Sequence, residues 1–196
     1  MTNLHHSPTD IWLPLPVAAW QDTYETLHLW TQIVGKIRLA LAPKINHWWH
    51  STLYVTPHGL TTSTIPYGTR NFQITFNFLL HQLLIETSDG MTQIIELTPR
   101  SVSNFYQAVI NALKEISIDV RIWTMPQEIA APIPFEQDEK HTAYDKEYAQ
   151  RFWQILVQAE RILSRFRSGY AGNEASANKS ILMILPYQNI QILDAP

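Results

Sequence analysis

The sequence predicts an α+β fold: a mostly antiparallel sheet of about five or six strands with helices packed on one face. Three observations predict it. Short β-patterned runs crowd between residues 51 and 97, separated by Pro-x-Gly and Ser-Asp-Gly triplets. Helical three-and-four periodicity brackets that block on both sides, and strands gathered between helices suit helices covering one face of an antiparallel sheet. The chain has 196 residues, 45% hydrophobic and 16% charged, which is enough to bury a core without disulfides or metal.

Taken in order, residues 1–21 read as an extended lead-in, with Pro14 and Pro16 fixing φ. Asp22 and Glu25 have capping-box spacing and open a helix through about Leu41. Leu27, Trp30, Val34, Ile37 and Leu41 form its buried stripe, and Pro43 ends it. Runs 51–56 and 60–65 read as strands leading into Pro57-His58-Gly59 and Pro66-Tyr67-Gly68, triplets suited to type I turns. Phe72, Ile74, Phe76 and Phe78 alternate with polar residues, so a one-residue slip would turn four large side chains to water. Residues 82–87 and 91–97 flank Ser88-Asp89-Gly90 as a hairpin.

Ser101 caps a second helix with Val102, Phe105, Tyr106, Val109, Leu113 and Ile116 on one face. Residues 119–123 read as one more strand, and Pro126, Pro132 and Pro134 mark a crossing loop. Thr142 and Asp145 have capping spacing ahead of a long helix through about Arg167. Its apolar face is Tyr148, Phe152, Ile155, Ala159, Leu163 and Phe166, while Arg161, Arg165 and Arg167 complement its negative end. Residues 22–168 thus read as a single domain. Residues 169–196 read as a Ser/Ala/Asn-rich linker and an apolar tail, 181–193, broken by Pro186.

Several phrases carry a resemblance: WQDTYETLHLWTQIVGKIRLALAP, NHWWHSTLYVTPHGLTTSTIPYG, RSVSNFY, DVRIWTMPQEI and YDKEYAQRFWQILVQAERIL. Over about Leu13 to Phe166 the chain resembles a bacterial family known only as a domain of unknown function, family 5996. The resemblance implies no activity, cofactor or catalytic residue. It also implies a carboxy-terminally shortened member, because such proteins continue past the last helix into a segment rich in His, Phe and Trp.

Composition narrows the chemistry. No cysteine is present, which removes disulfides, thiolate ligands and cysteine nucleophiles and leaves His and carboxylates as metal ligands. A formal charge of −3 offers no electrostatic attraction for nucleic acid or an anionic membrane. No apolar run reaches the roughly 18 residues of a span, and no secretory signal opens the chain. A cytoplasmic protein is the expectation. Gly-rich phosphate loops, GxSxG and HExxH are absent from the sequence.

What remains is NHWWHSTLYVTP, residues 46–57. On a strand starting near His50, that residue shares a face with Tyr54, while His47 points elsewhere. Metal binding would need a third ligand such as His28, His58 or Asp22; the ordinary reading is a packed aromatic corner around Trp48 and Trp49. On the first helix His28, Thr31, Gly35 and Arg38 flank the buried stripe. Mid-helix glycine costs about 1 kcal/mol against alanine, so Gly35 asks for close approach of a backbone or ligand. If that flank faces the double-tryptophan corner, His28, Thr31, Gly35, Arg38, His47, Trp49, His50 and Tyr54 enclose a pocket, with Tyr67 and Arg70 at its rim. Its expected occupant is a small anionic or aromatic molecule anchored by Arg. No metal or cofactor is assigned. The rivals are an enzyme with His28 or His50 as general base, with or without a metal, and a protein-interaction module using surface tryptophans and the apolar tail.

Overall fold

The computed structural model describes residues 12–44 and 50–168. Helix α1 runs Val17–Leu41, six residues earlier than the Asp22 cap predicts. Pro16 occupies the N-cap without a side-chain bond, and proline loses nothing there because that N–H has no helical partner. Ala18 and Ala19 are strong helix formers. Only residues 12–16 of the described lead-in precede the helix, and Arg151 holds them through the Pro14 carbonyl at 3.1 Å.

Six strands follow: β1 Tyr54–Thr56, β2 Gly59–Thr61, β3 Ile65–Tyr67, β4 Arg70–Asn77, β5 Gln82–Thr87 and β6 Thr92–Glu96. All pair antiparallel in the order β1-β2-β4-β5-β6, with β3 also on β4. The alternation of β4 sets the register: Phe72, Ile74 and Phe76 are buried and pair with Thr87, Ile85 and Leu83. The first Pro-x-Gly triplet turns as expected, between Thr56 and Gly59. The second does not. Pro66 and Tyr67 lie inside β3, and Gly68-Thr69 makes the turn. Proline is tolerated because β3 is an edge strand paired only with β4.

Helix α2, Val102–Glu115, starts where Ser101 accepts from the Asn104 N–H, and its predicted face is buried or half-buried. Residues 119–123 lie outside the sheet, contrary to the strand expected there. The Asp119 N–H donates to the Tyr67 hydroxyl at 2.9 Å, and the following loop is fastened to α1 instead. Gln32 donates its amide to the Gln127 carbonyl at 2.9 Å and accepts from the Gln127 N–H at 2.8 Å. Lys36 donates to the Met125 carbonyl at 2.8 Å with its ammonium 4.8 Å from the Trp123 ring. One turn of 3-10 helix, Phe135–Gln137, follows.

Helix α3, Lys146–Ser168, is capped by the Asp145 carboxylate, which accepts from the Tyr148 N–H. Ala149, Trp153 and Leu156 are buried, but Leu163 and Phe166, expected on the buried face, are exposed. The helix outruns the body it packs against.

With α2, α3 and the sheet around it, α1 is buried on every side from Thr26 to Gly35, more than the single predicted stripe. Trp30 stacks on Phe105 at 4.4 Å and on Tyr144 at 5.4 Å; burying each such ring contributes on the order of 1.5–3 kcal/mol. Threonines within this stretch bond their own helix: Thr26 to the Asp22 carbonyl and Thr31 to the His28 carbonyl. That self-bonding is what permits polar residues inside the core.

Candidate functional site

The residues singled out by sequence separate into three places. His28 and Thr31 line, with Tyr24, Leu27 and Phe152, a cavity of only about 10 Å³, room for one water. His28 stacks on Tyr24 at 5.9 Å. Its Nε2 accepts from the Gln32 amide at 3.2 Å, whose orientation the Gln127 bonds fix, so the ring proton of neutral His28 sits on Nδ1. Burial pushes the His28 pKa down, keeping the ring neutral.

Gly35 and Arg38 meet residues 50–54. A Cβ on Gly35 would stand 3.1 Å from the Ser51 carbonyl oxygen, so the close approach is by backbone. Arg38 is buried; its Nη1 donates to the Thr52 carbonyl, its Nη2 lies 3.4 Å from the Tyr54 hydroxyl, and its guanidinium sits 5.0 Å over the Tyr54 ring. His50 is buried beside this seam. His47, Trp48 and Trp49 fall outside the described residues.

Tyr67 and Arg70 are elsewhere. Register sets Tyr54 level with Thr61 and Thr75, and Arg70 is five residues further along β4, roughly 17 Å away. Arg70 binds the carbonyls of Ile116 and Ser117 beyond α2 and the Asp89 carboxylate at 3.1 Å. It is a latch across the domain.

An open-sided cleft of about 340 Å³ lies at the other end of α1. Ala18, Ala19, Trp20, Gln21, Asp22 and Thr23 form one wall; Pro99 and Ala143–Asp145 form the other. Small side chains on facing elements create the space. Two carboxylates and no Lys or Arg line it. Tyr144 reaches from the cleft to His81 Nδ1 at 3.1 Å. Burial, reinforced by Asp145, pushes the Tyr144 hydroxyl pKa up, while burial and Lys146 push His81 down. The neutral phenol therefore donates to a neutral imidazole.

A further pair escaped the sequence reading. Loop 136–141 looks like a solvated charge run, yet Asp138 is only 1% exposed. Its Oδ2 accepts from His141 Nδ1 at 2.7 Å, and its Oδ1 accepts from the Lys140 and His141 N–H groups. His141 Nε2 faces Glu25 Oε2 at 3.9 Å, and Glu25 Oε1 accepts from Gln21 on the cleft rim at 3.0 Å. The Asp-x-x-His spacing was the available signal, since an Asp side chain readily bonds backbone two and three residues ahead. Burial of the loop is not visible in composition.

Among the described residues no three His, Asp or Glu side chains gather as a metal site, and no helix is long and apolar enough to cross a membrane. The fold and its cleft define an α+β domain with helices on one face of an antiparallel sheet and an acidic groove at the head of its central helix. The chain belongs to the family described as "Family of unknown function (DUF5996)", whose model matches residues 12–179. No curated protein and no solved structure matches it.

Proposed function

We propose that this is a small-ligand-binding domain whose ligand sits in the cleft between the first turns of α1, Pro99 and Ala143–Asp145. The observation behind this reading is volume: about 340 Å³ with mixed lining lies within the range of small-molecule sites, roughly 300–1,000 Å³. Asp22 and Asp145 select for a cationic or hydrogen-bond-donating group, with apolar parts of the ligand against Ala19 and Pro99. This reading places the site at the opposite end of α1 from Arg38; Gly35 itself lies against the Ser51 carbonyl. Thermal-shift and amide-spectrum titrations with primary amines and with carboxylates form the test. An amine at a hundred times its Kd should stabilise the fold by about 2.7 kcal/mol and shift resonances of residues 18–23 and 143–145. Ala143→Trp should abolish both effects; silence from every amine would overturn the reading.

General-base chemistry is a second reading, favoured by the buried carboxylate that orients His141 through Nδ1; Nε2, which lies beside Glu25 Oε2, is then the atom that takes the proton once a substrate displaces Glu25. It requires that Asp138→Asn and His141→Gln each remove a turnover that the wild-type protein shows with ester or amide substrates. Wild-type inactivity across such substrates would dismiss it.

A further inference from the structure

The apolar repeat of α3 does not stop where the body stops. Ala149, Phe152, Leu156, Ala159, Leu163 and Phe166 follow one another at alternating spacings of three and four, the spacing of a helix-packing seam. Its first half is against the domain: Ala149 and Leu156 are buried. Its second half is bare, with Leu163 47% and Phe166 78% exposed and neighbouring Ile162 50% exposed. A contiguous apolar patch of this kind marks a surface that something covers.

We propose that the patch is the docking site for this chain's own segment 181–193, ILMILPYQNIQIL. Proximity is the first argument. The helix ends at Ser168, two residues after Phe166, and residues 169–180 between it and the segment can span up to about 40 Å. The patch from Ala159 to Phe166 covers only about 10 Å of helix. Joined this way, the two surfaces meet at an effective concentration on the order of millimolar. Composition is the second argument: eight of the thirteen residues are Ile, Leu or Met, and none is charged.

Charge is the third, and it separates the tail from a second copy of the chain. Exposed Arg161 and Arg165 border the patch. Another α3 laid on it would bring the same two cations, a like-charge contact that costs affinity. The segment itself carries no charge, and its flanks are one of each sign, Lys179 before it and Asp194 after it.

The test uses the full chain. Hydrogen exchange of residues 159–168 is compared between wild type and the double variant Ile184→Asp/Leu185→Asp, with light scattering on both. Docking predicts a monomer whose amides there exchange at least tenfold faster in the variant. Phe166→Glu in an unaltered tail should accelerate exchange equally, and combining the changes should add nothing. A nitroxide on Gln188→Cys, unique because the sequence has no cysteine and clear of Ile184 and Leu185, should broaden resonances of Ile162 and Leu163 at high dilution. Unchanged exchange, absent broadening, or protection that appears only with a concentration-dependent dimer would overturn the proposal.

Discussion

Near its carboxy-terminal end α1 touches residues 50–54 directly: Gly35 rests on the Ser51 carbonyl, and Arg38 reaches across to Thr52 and Tyr54. Near its amino-terminal end the same helix faces Pro99 and Ala143–Asp145 across an open cleft. Both seams are polar, so polarity along a helix flank does not distinguish a ligand site from a packed joint. Side-chain reach does. One seam brings backbones together and spans the rest with a guanidinium; the other sets alanines opposite alanine and proline and leaves the gap unfilled.

The largest effect is expected at Gly59, which opens β2 and holds β1, with Tyr54, in place beneath Arg38. A Cβ there would lie 1.8 Å from the Phe76 carbonyl oxygen, so Gly59→Ala should cost about 3 kcal/mol or more in urea unfolding. Arg38→Met comes next, because it deprives the Thr52 carbonyl of its guanidinium donor and ends the stacking on Tyr54; a loss of about 2–3 kcal/mol is expected. A loss under about 0.5 kcal/mol would mean that seam is no tighter than the cleft.

Between the two seams sits His28. Its pKa is depressed by burial in the fold, and in the unfolded chain it returns to about 6.5. The unfolded state therefore binds more protons as pH falls below about 6.5, and stability drops with pH through that window by up to about 1.4 kcal/mol per unit. His81, also depressed, acts in the same direction. Urea midpoints from pH 7.5 downward should show this slope, and His28→Gln should flatten it; an unaltered slope would place the imidazole in contact with water.

Two smaller effects sharpen the contrast. Gly35→Ala gains about 1 kcal/mol of helix propensity but crowds the Ser51 carbonyl, so a net loss of about 1 kcal/mol or less is expected; a clear gain would show that Ser51 retreats freely. Ala19→Leu, on the cleft wall, should change stability by less than about 0.5 kcal/mol. A larger loss would reveal that the cleft is closed by side chains already in contact.

What was legible in the sequence was whatever a short-range repeat dictates. The Phe72–Phe76 alternation, the Ser88-Asp89-Gly90 hairpin and the α2 face each follow from spacing two or three-and-four, and all three appear as read. Gly35 also declared itself, because a mid-helix glycine signals close approach; whether backbone or ligand approaches depends on residues far away in the chain. The misreadings share one cause. Residues 119–123 have the composition of a strand, but the Tyr67 hydroxyl takes the Asp119 N–H and α1 fastens the chain just beyond, at Met125 and Gln127, so the segment joins no strand. Leu163 and Phe166 keep the helical repeat past the point where there is a body to pack on. The cleft was invisible because its walls come from Ala18 and Ala19, Pro99 and Ala143, residues that announce nothing individually. Arg38 and Tyr54 do meet, as the shared flank suggested, whereas Tyr67 and Arg70 belong to a separate joint.

The Gln32 side chain acts as an extra rung of main chain, giving one hydrogen and taking one from Gln127. Only a carboxamide can do both. Exchanging its NH2 for oxygen, as hydrolysis to glutamate would, leaves the accepting half intact and turns the donating half into two oxygens facing each other. So conservative a swap, one atom in size, would unclasp the 123–127 crossing, and Lys36 would lose its aromatic seat along with it. The position has a chemical requirement that neither hydrophobicity nor volume would reveal.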